Sequence, residues 1–245
     1  LDSTLFGTAK LVRLLDAWAP AEIEPASGDV AERMSHWFGP LDAIRLQAAE
    51  QSLRSADDGP SPCATPRQVQ AVADDIQRVR GVLAKAIAQD PLALAGLKPG
   101  DPDAAGYAPF QQRHIELQRQ MGQMAGALRD HVRHAVSAAS PRLAPLATLD
   151  AAFESLLAAR EQALWPTTGA LLQRRHAQLR AGHAQALQAE GRDDDPLQWR
   201  QPGGWLAAFA HDWREALLAE LDLRLEPVMG LLEALRTPPG PPEHP

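Results

Sequence analysis

The chain has a single cysteine, Cys63, in a stretch rich in proline, serine and aspartate, so no disulfide can form within it. Valine, isoleucine and threonine together number only 21 of 245 residues. No alternation of apolar and polar residues marks a half-buried strand, which excludes a β-rich fold. No apolar run approaches the roughly 20 residues a membrane helix needs, so no direct membrane insertion is expected. No secretory leader pattern is visible. With the lone thiol, these absences point to a reducing, cytoplasmic location. Signatures of chemistry are missing as well. There is no Gly-x-Ser-x-Gly for a nucleophile, and no glycine-rich phosphate loop after a strand.

What remains is a sequence dominated by alanine, leucine, glutamine and arginine, the residues that lose least in a helix. Apolar residues make up 45%, enough for a substantial core. The fold reads as all-α. Its clearest element covers 205–236, where Leu206, Phe209, Trp213, Leu217, Leu221, Leu225, Val228, Leu232 and Leu235 recur at about 3.6 residues. Such a helix is roughly 48 Å long and suits an elongated bundle. Thr237, Pro238, Pro239 and Gly240 then stop it. Gly203 and Gly204 ahead of it offer either an anion-binding helix N-terminus or, more commonly, a plain helix start.

Residues 1–55 read as a small N-terminal unit of three short helices. Leu11, Leu14, Leu15 and Trp18 share one face. Asp29 and Glu32 form a capping-box-like start for a helix bearing Val30, Met34 and Trp37. Gly39 ends that helix and Pro40 opens the third, along which Leu41, Ile44, Ala48 and Gln51 line up. A linker covers 56–64, a bundle of long amphipathic helices 65–236, and a proline-rich tail 237–245.

In the bundle, Thr65 caps a helix with Pro66 at its first position and Gln68 as its capping partner. Its seam is Val69, Val72, Ile76, Val79, Leu83 and Ala86, a heptad pattern. Residues 91–108, dense in glycine, proline and aspartate, read as a long irregular and mobile connection. A second seam runs Phe110, His114, Leu117, Met121, Met124, Leu128, His131, Ala135, before Ser140, Pro141 and Pro145 break it. The two seams, one narrow and one bulky, are expected to pair antiparallel. Over 148–189 one apolar face precedes Pro166 and another follows it, which reads as a single kinked helix. Extra leucines at Leu157, Leu171, Leu218, Leu223 and Leu231 mark 148–189 and 205–236 as the bundle centre. Residues 191–204 read as a surface loop.

The net charge of −7 is unevenly placed: residues 1–60 and 193–245 are acidic, whereas 111–142 and 160–192 are mildly basic. Overall acidity argues against general affinity for nucleic acid. The alternative, a nucleic-acid-binding helical protein, rests on Arg174, Arg175 and Arg180 as phosphate contacts. Histidines are the only material for a metal site: His131 and His134 three apart, His114 on the same seam, His176 and His183 seven apart. The inward Glu-x-x-His pattern of di-iron bundles is missing, so structural or exposed roles are expected and no cofactor is implied. Trp199, in a polar loop, either folds back or anchors a protein partner. Leu218 and Leu231 are the positions through which the C-terminal helix would form a homodimer, with intrachain packing as their alternative role.

Two stretches carry a resemblance: Lys10-Leu11-Val12-Arg13-Leu14-Leu15 with Ala31-Glu32-Arg33-Met34-Ser35-His36-Trp37 and Asp42-Ala43-Ile44, and the terminal run from Leu218 to Ala234. They are similar to an uncharacterised proteobacterial family known only as a domain of unknown function. The resemblance spans nearly the whole chain and is closest at the ends. Its motifs are packing motifs, so it transfers no catalytic or binding residue. Genes of that family neighbour those for a stator-like inner-membrane protein and an OmpA-like protein, which implies a cytoplasmic accessory of an envelope complex. The functional expectation is a non-catalytic helical scaffold that binds other proteins.

Overall fold

A computed structural model describes residues 10–18, 39–54 and 64–236. Among them are seven α-helices and no strand: α1 Lys10–Trp18, α2 Pro40–Arg54, α3 Pro66–Ala88, α4 Pro91–Leu94, α5 Ala108–Ala139, α6 Ala144–Glu190 and α7 Trp205–Arg236. A 3₁₀ turn covers Pro102–Ala105. The fold is all-α. The helix read over 30–38, nearly all of the linker and the tail lie outside the described residues. The chain forms two compact units that interleave in sequence: 1–24, 82–121 and 163–223, and then 25–81, 122–162 and 224–245.

The first unit is built on the N-terminal half of α7. Leu206, Phe209, Trp213, Leu217 and Leu221 are all buried there, together with Leu83, Ile87, Leu92, Phe110, Leu117, Met121 and Leu172. Phe110 meets Phe209 and Trp213 edge-on, with ring centroids 4.9 and 5.7 Å apart, the geometry that aromatic quadrupoles favour. Lys10 of α1 pairs with Glu215 of α7 at 2.7 Å. Arg175 of α6 pairs with Asp212 of α7 at 2.8 Å and lies 6.0 Å from the Trp18 ring. Arg113 of α5 donates to the Ala86 carbonyl and to Gln89.

In the second unit Val72, Ile76, Leu128, Val132, Val136, Leu225, Val228, Leu232 and Leu235 are buried. Arg129 of α5 grips Asp150 of α6 through two hydrogen bonds of 2.7 and 2.8 Å, and Arg133 adds Glu154 at 2.6 Å. These arginines are only 12% exposed, so the planar, bidentate pairing is shielded from water. His131 lies 3.2 Å from Asp75 of α3. Contacts of α5 with α3 thus pair 113 with 86 and 131 with 75, numbers running in opposite senses, as in the expected antiparallel pair.

All nine residues of the 205–236 seam are buried. The other seams need correction. On α5 the buried set is Phe110, His114, Leu117, Met121, Ala125, Leu128, Val132, Val136 and Ala139, whereas His131 is exposed and Met124 half-buried. On α3 the seam ends on Ile87 rather than Ala86. A strict heptad assumes 3.5 residues per turn, and a straight helix drifts from it by about 20° per heptad. Two heptads into α5, the contact stripe has moved by one residue.

On α2, Ile44 and Ala48 are exposed and Ala49 is buried, so the burial stripe again differs from the one expected. Residues 144–190 form one helix with Pro166 inside it. Pro145, expected to break the chain, sits in its first turn, where no amide donor is needed. Only Ala147, Thr168, Leu172 and His176 are buried along α6, so α7 supplies the centre and α6 does not.

The capping box forms as expected: the Thr65 amide donates to Gln68 Oε1 at 2.8 Å and the Gln68 amide to Thr65 Oγ1 at 3.3 Å. The 91–108 connection, read as irregular, is built from α4 and the 3₁₀ turn, with Pro91, Leu92, Ala104 and Ala105 buried. Three Asp-Pro pairs repeat one device. Asp90, Asp101 and Asp195 each accept a hydrogen bond at Oδ1 from the amide two residues on, across a proline whose φ is already set for the turn.

The loop 191–204 closes on α7. The carbonyl of Trp199 accepts from the amides of Leu206 and Ala207 at 3.1 and 3.0 Å, satisfying donors that a helix start leaves orphaned. The anion reading of this N-terminus therefore fails, because the chain itself occupies it. Gly204 is pressed into that cap: a Cβ there would lie 2.3 Å from the carbonyl oxygens of Gln198 and Trp199. Gly204→Ala should therefore cost at least about 2 kcal/mol and lower Tm by about 5 °C or more. Gly126→Ala in α5, where a Cβ would meet nothing within 4 Å, should instead stabilise by about 0.5–1 kcal/mol. Thermal unfolding of both variants checks the opposite signs.

Candidate functional site

The residues with the most unusual surroundings gather in the first unit. The imidazole of His176 is 5% exposed and is walled by Tyr107, Trp205 and Phe209 at centroid distances of 5.5, 5.3 and 4.8 Å. Its Nε2 has no hydrogen-bond partner. Tyr107 donates its hydroxyl to the Gly169 carbonyl at 3.0 Å, and burial pushes its pKa up to about 12. His114 is also buried and lies beneath Gly169.

Two turns along α6, His183 meets Asp194 at 2.9 Å, and Trp199 Nε1 donates to the same carboxylate oxygen at 2.7 Å. Burial pushes the Asp194 carboxyl up, but the hydrogen bonds from His183 and Trp199 outweigh it and hold it below its ordinary value. Trp199 is 7% exposed and folds back onto its own chain. An indole whose N–H already has a carboxylate is a satisfied core group. Nearby, Glu220 is fully buried and accepts from Gln118, which also donates to the Trp165 carbonyl.

Beside this cluster is a cavity of about 190 Å³ lined by Asp90, Pro91, Leu92, Arg200, Leu206, Ala207, Ala210, Trp213 and Arg214. Arg200 pairs with Asp90 across it, joining the two connecting segments. Sequence spacing gave no sign of this pair, whose members stand 110 residues apart.

Leu231 is 3% exposed and packs within its own chain, and Leu218 is half-buried. Both follow from the width of the α7 face, which is buried on more than one side. Arg175 is committed to Asp212, while Arg174 and Arg180 are exposed. His131 and His134 are exposed in the second unit. Among the described residues no three histidine, cysteine, aspartate or glutamate side chains converge to hold a metal ion.

Burial, and then the nearby Arg180 charge, lowers His176 from 6.5 to about 4. The imidazole is thus neutral in the fold, whereas an unfolded chain takes up the proton through pH 6.5. The stability linked to this group is whole above that pH and falls as pH drops toward 4, by at most about 3 kcal/mol. Replacing His176 with leucine removes the titration and keeps the apolar packing. Denaturant midpoints measured from pH 7 to 4 should therefore fall less steeply for His176→Leu than for the unmodified chain.

No helix among the described residues is long and apolar enough to cross a membrane. No curated protein and no solved structure matches the chain. The pattern of one family covers nearly all of it, as the terminal packing motifs anticipate. The chain belongs to the family described as protein of unknown function (DUF3348), matched over residues 1–237.

Proposed function

We propose that the chain is a non-catalytic helical scaffold or adaptor that binds another protein. The resemblance at its ends further suggests a cytoplasmic accessory of an envelope-associated complex. One observation in the first unit supports the scaffold reading. Leu94 and Leu197 are 57% and 55% exposed, and they sit on the two connecting segments that the Arg200–Asp90 pair holds together. Large apolar side chains held outward on braced segments lose little freedom when a partner covers them, which favours association. Much of the charge of this unit is meanwhile spent internally, in Lys10–Glu215, Arg113–Glu116, Arg175–Asp212 and Arg200–Asp90.

The test is affinity capture from gently lysed native host cells, with the unmodified chain and a Leu94→Lys/Leu197→Lys double variant as baits. The proposal expects a protein retained by the unmodified chain and lost by the variant, with circular dichroism and Tm unchanged. Recovery of no protein at any salt concentration, or equal retention by both baits, counts against it.

A further inference from the structure

The cavity between the connecting segments and α7 has a composition that packing alone does not require. Six of its nine lining residues are apolar: Pro91, Leu92, Leu206, Ala207, Ala210 and Trp213. The remaining three are Asp90, Arg200 and Arg214. Both oxygens of Asp90 are engaged, Oδ1 by the Leu92 amide and Oδ2 by Arg200, so this pair contributes no net charge to the wall. Arg214 is different. Its Nε donates to the Ala210 carbonyl of its own helix, and among the described residues no carboxylate pairs with it. The wall thus carries one uncompensated positive charge.

A second observation concerns Trp213, which is fully buried in the same wall. Its indole N–H has no hydrogen-bond acceptor. A buried donor left unsatisfied destabilises the fold, so an acceptor that reached it would remove a standing penalty. Size limits what can enter. Benzene binds in an engineered apolar cavity of about 150 Å³ in another protein, so about 190 Å³ admits one ring with a small polar group.

We propose that this cavity binds a small monocarboxylate with an apolar body of about one ring. The carboxylate sits on the Arg214 guanidinium, and the body lies against Leu92, Leu206, Ala207 and Ala210. A planar guanidinium matches a carboxylate with two parallel N–H donors, which a neutral amide cannot exploit. Leu94 and Leu197 do not line this cavity, and either reading can fail without the other.

The probe is benzoate at neutral pH, titrated into the full chain while the six tryptophan indole N–H resonances are followed by NMR. Saturable binding is expected, with the largest shift on the Trp213 resonance, assigned from a Trp213→Phe variant. Benzamide, of the same shape but neutral, should bind at least about tenfold more weakly, and Arg214→Gln should weaken benzoate by a similar factor. Acetate, which lacks the body, should not saturate. Ala210→Leu, which fills the cavity, should abolish benzoate binding; Ala207→Leu serves in its place should that variant misfold. The proposal is overturned by benzoate failing to saturate at tens of millimolar, by benzamide binding as tightly as benzoate, or by Arg214→Gln leaving benzoate affinity unchanged.

Discussion

One apolar stripe governs this molecule. From Leu206 to Leu235, α7 buries a leucine, phenylalanine, tryptophan or valine at every turn. Fully burying one such side chain contributes about 1.5–3 kcal/mol, so this helix outweighs any other single element in the core. It gives residues to both compact units, and in each the neighbouring segments bury apolar side chains of their own. In the first unit the ion pairs with Lys10 and Arg175 end on α7 carboxylates. These pairs set the register of α1 and α6 on α7; the burial supplies the stability.

A stripe this strong was legible because it keeps the period of a straight helix over nine residues. The weaker seams of α3 and α5 were legible only at their starts. A 3.5-residue repeat and a 3.6-residue helix agree for two heptads and then part, which moved the buried positions from His131 and Ala135 to Val132 and Val136. On α6 the apolar pattern and the burial differ more. Leucines are spread widely around it, and sequence cannot show that the remainder of the chain leaves most of them half-covered. Leu164, at 61% exposure, is the extreme case.

Local chemistry was easier to read than long-range chemistry. The Thr65–Gln68 box and the proline and glycine stops need only neighbours in sequence. The Asp90–Arg200 pair, the acceptance of Trp199 by Asp194 and the burial of Glu220 need tertiary structure, and no spacing rule finds them. Trp199 illustrates the limit. A tryptophan in a polar loop fits either folding back or anchoring a partner, and only the position of Asp194 decides. The cavity follows the same logic: its charged residues come from three separate stretches, so no window of sequence contains it.

With so much of the core on one helix, α7 should be the last element to open. Native-state hydrogen exchange tests this most directly, because it reports the opening free energy of each amide. Amides from Phe209 to Leu225 should exchange only through global unfolding, with the highest protection in the chain. Amides over 155–167 of α6, where no side chain is buried, should exchange by smaller local openings and far faster. If the α7 amides exchange as readily as those of 155–167, the stripe does not hold the fold together.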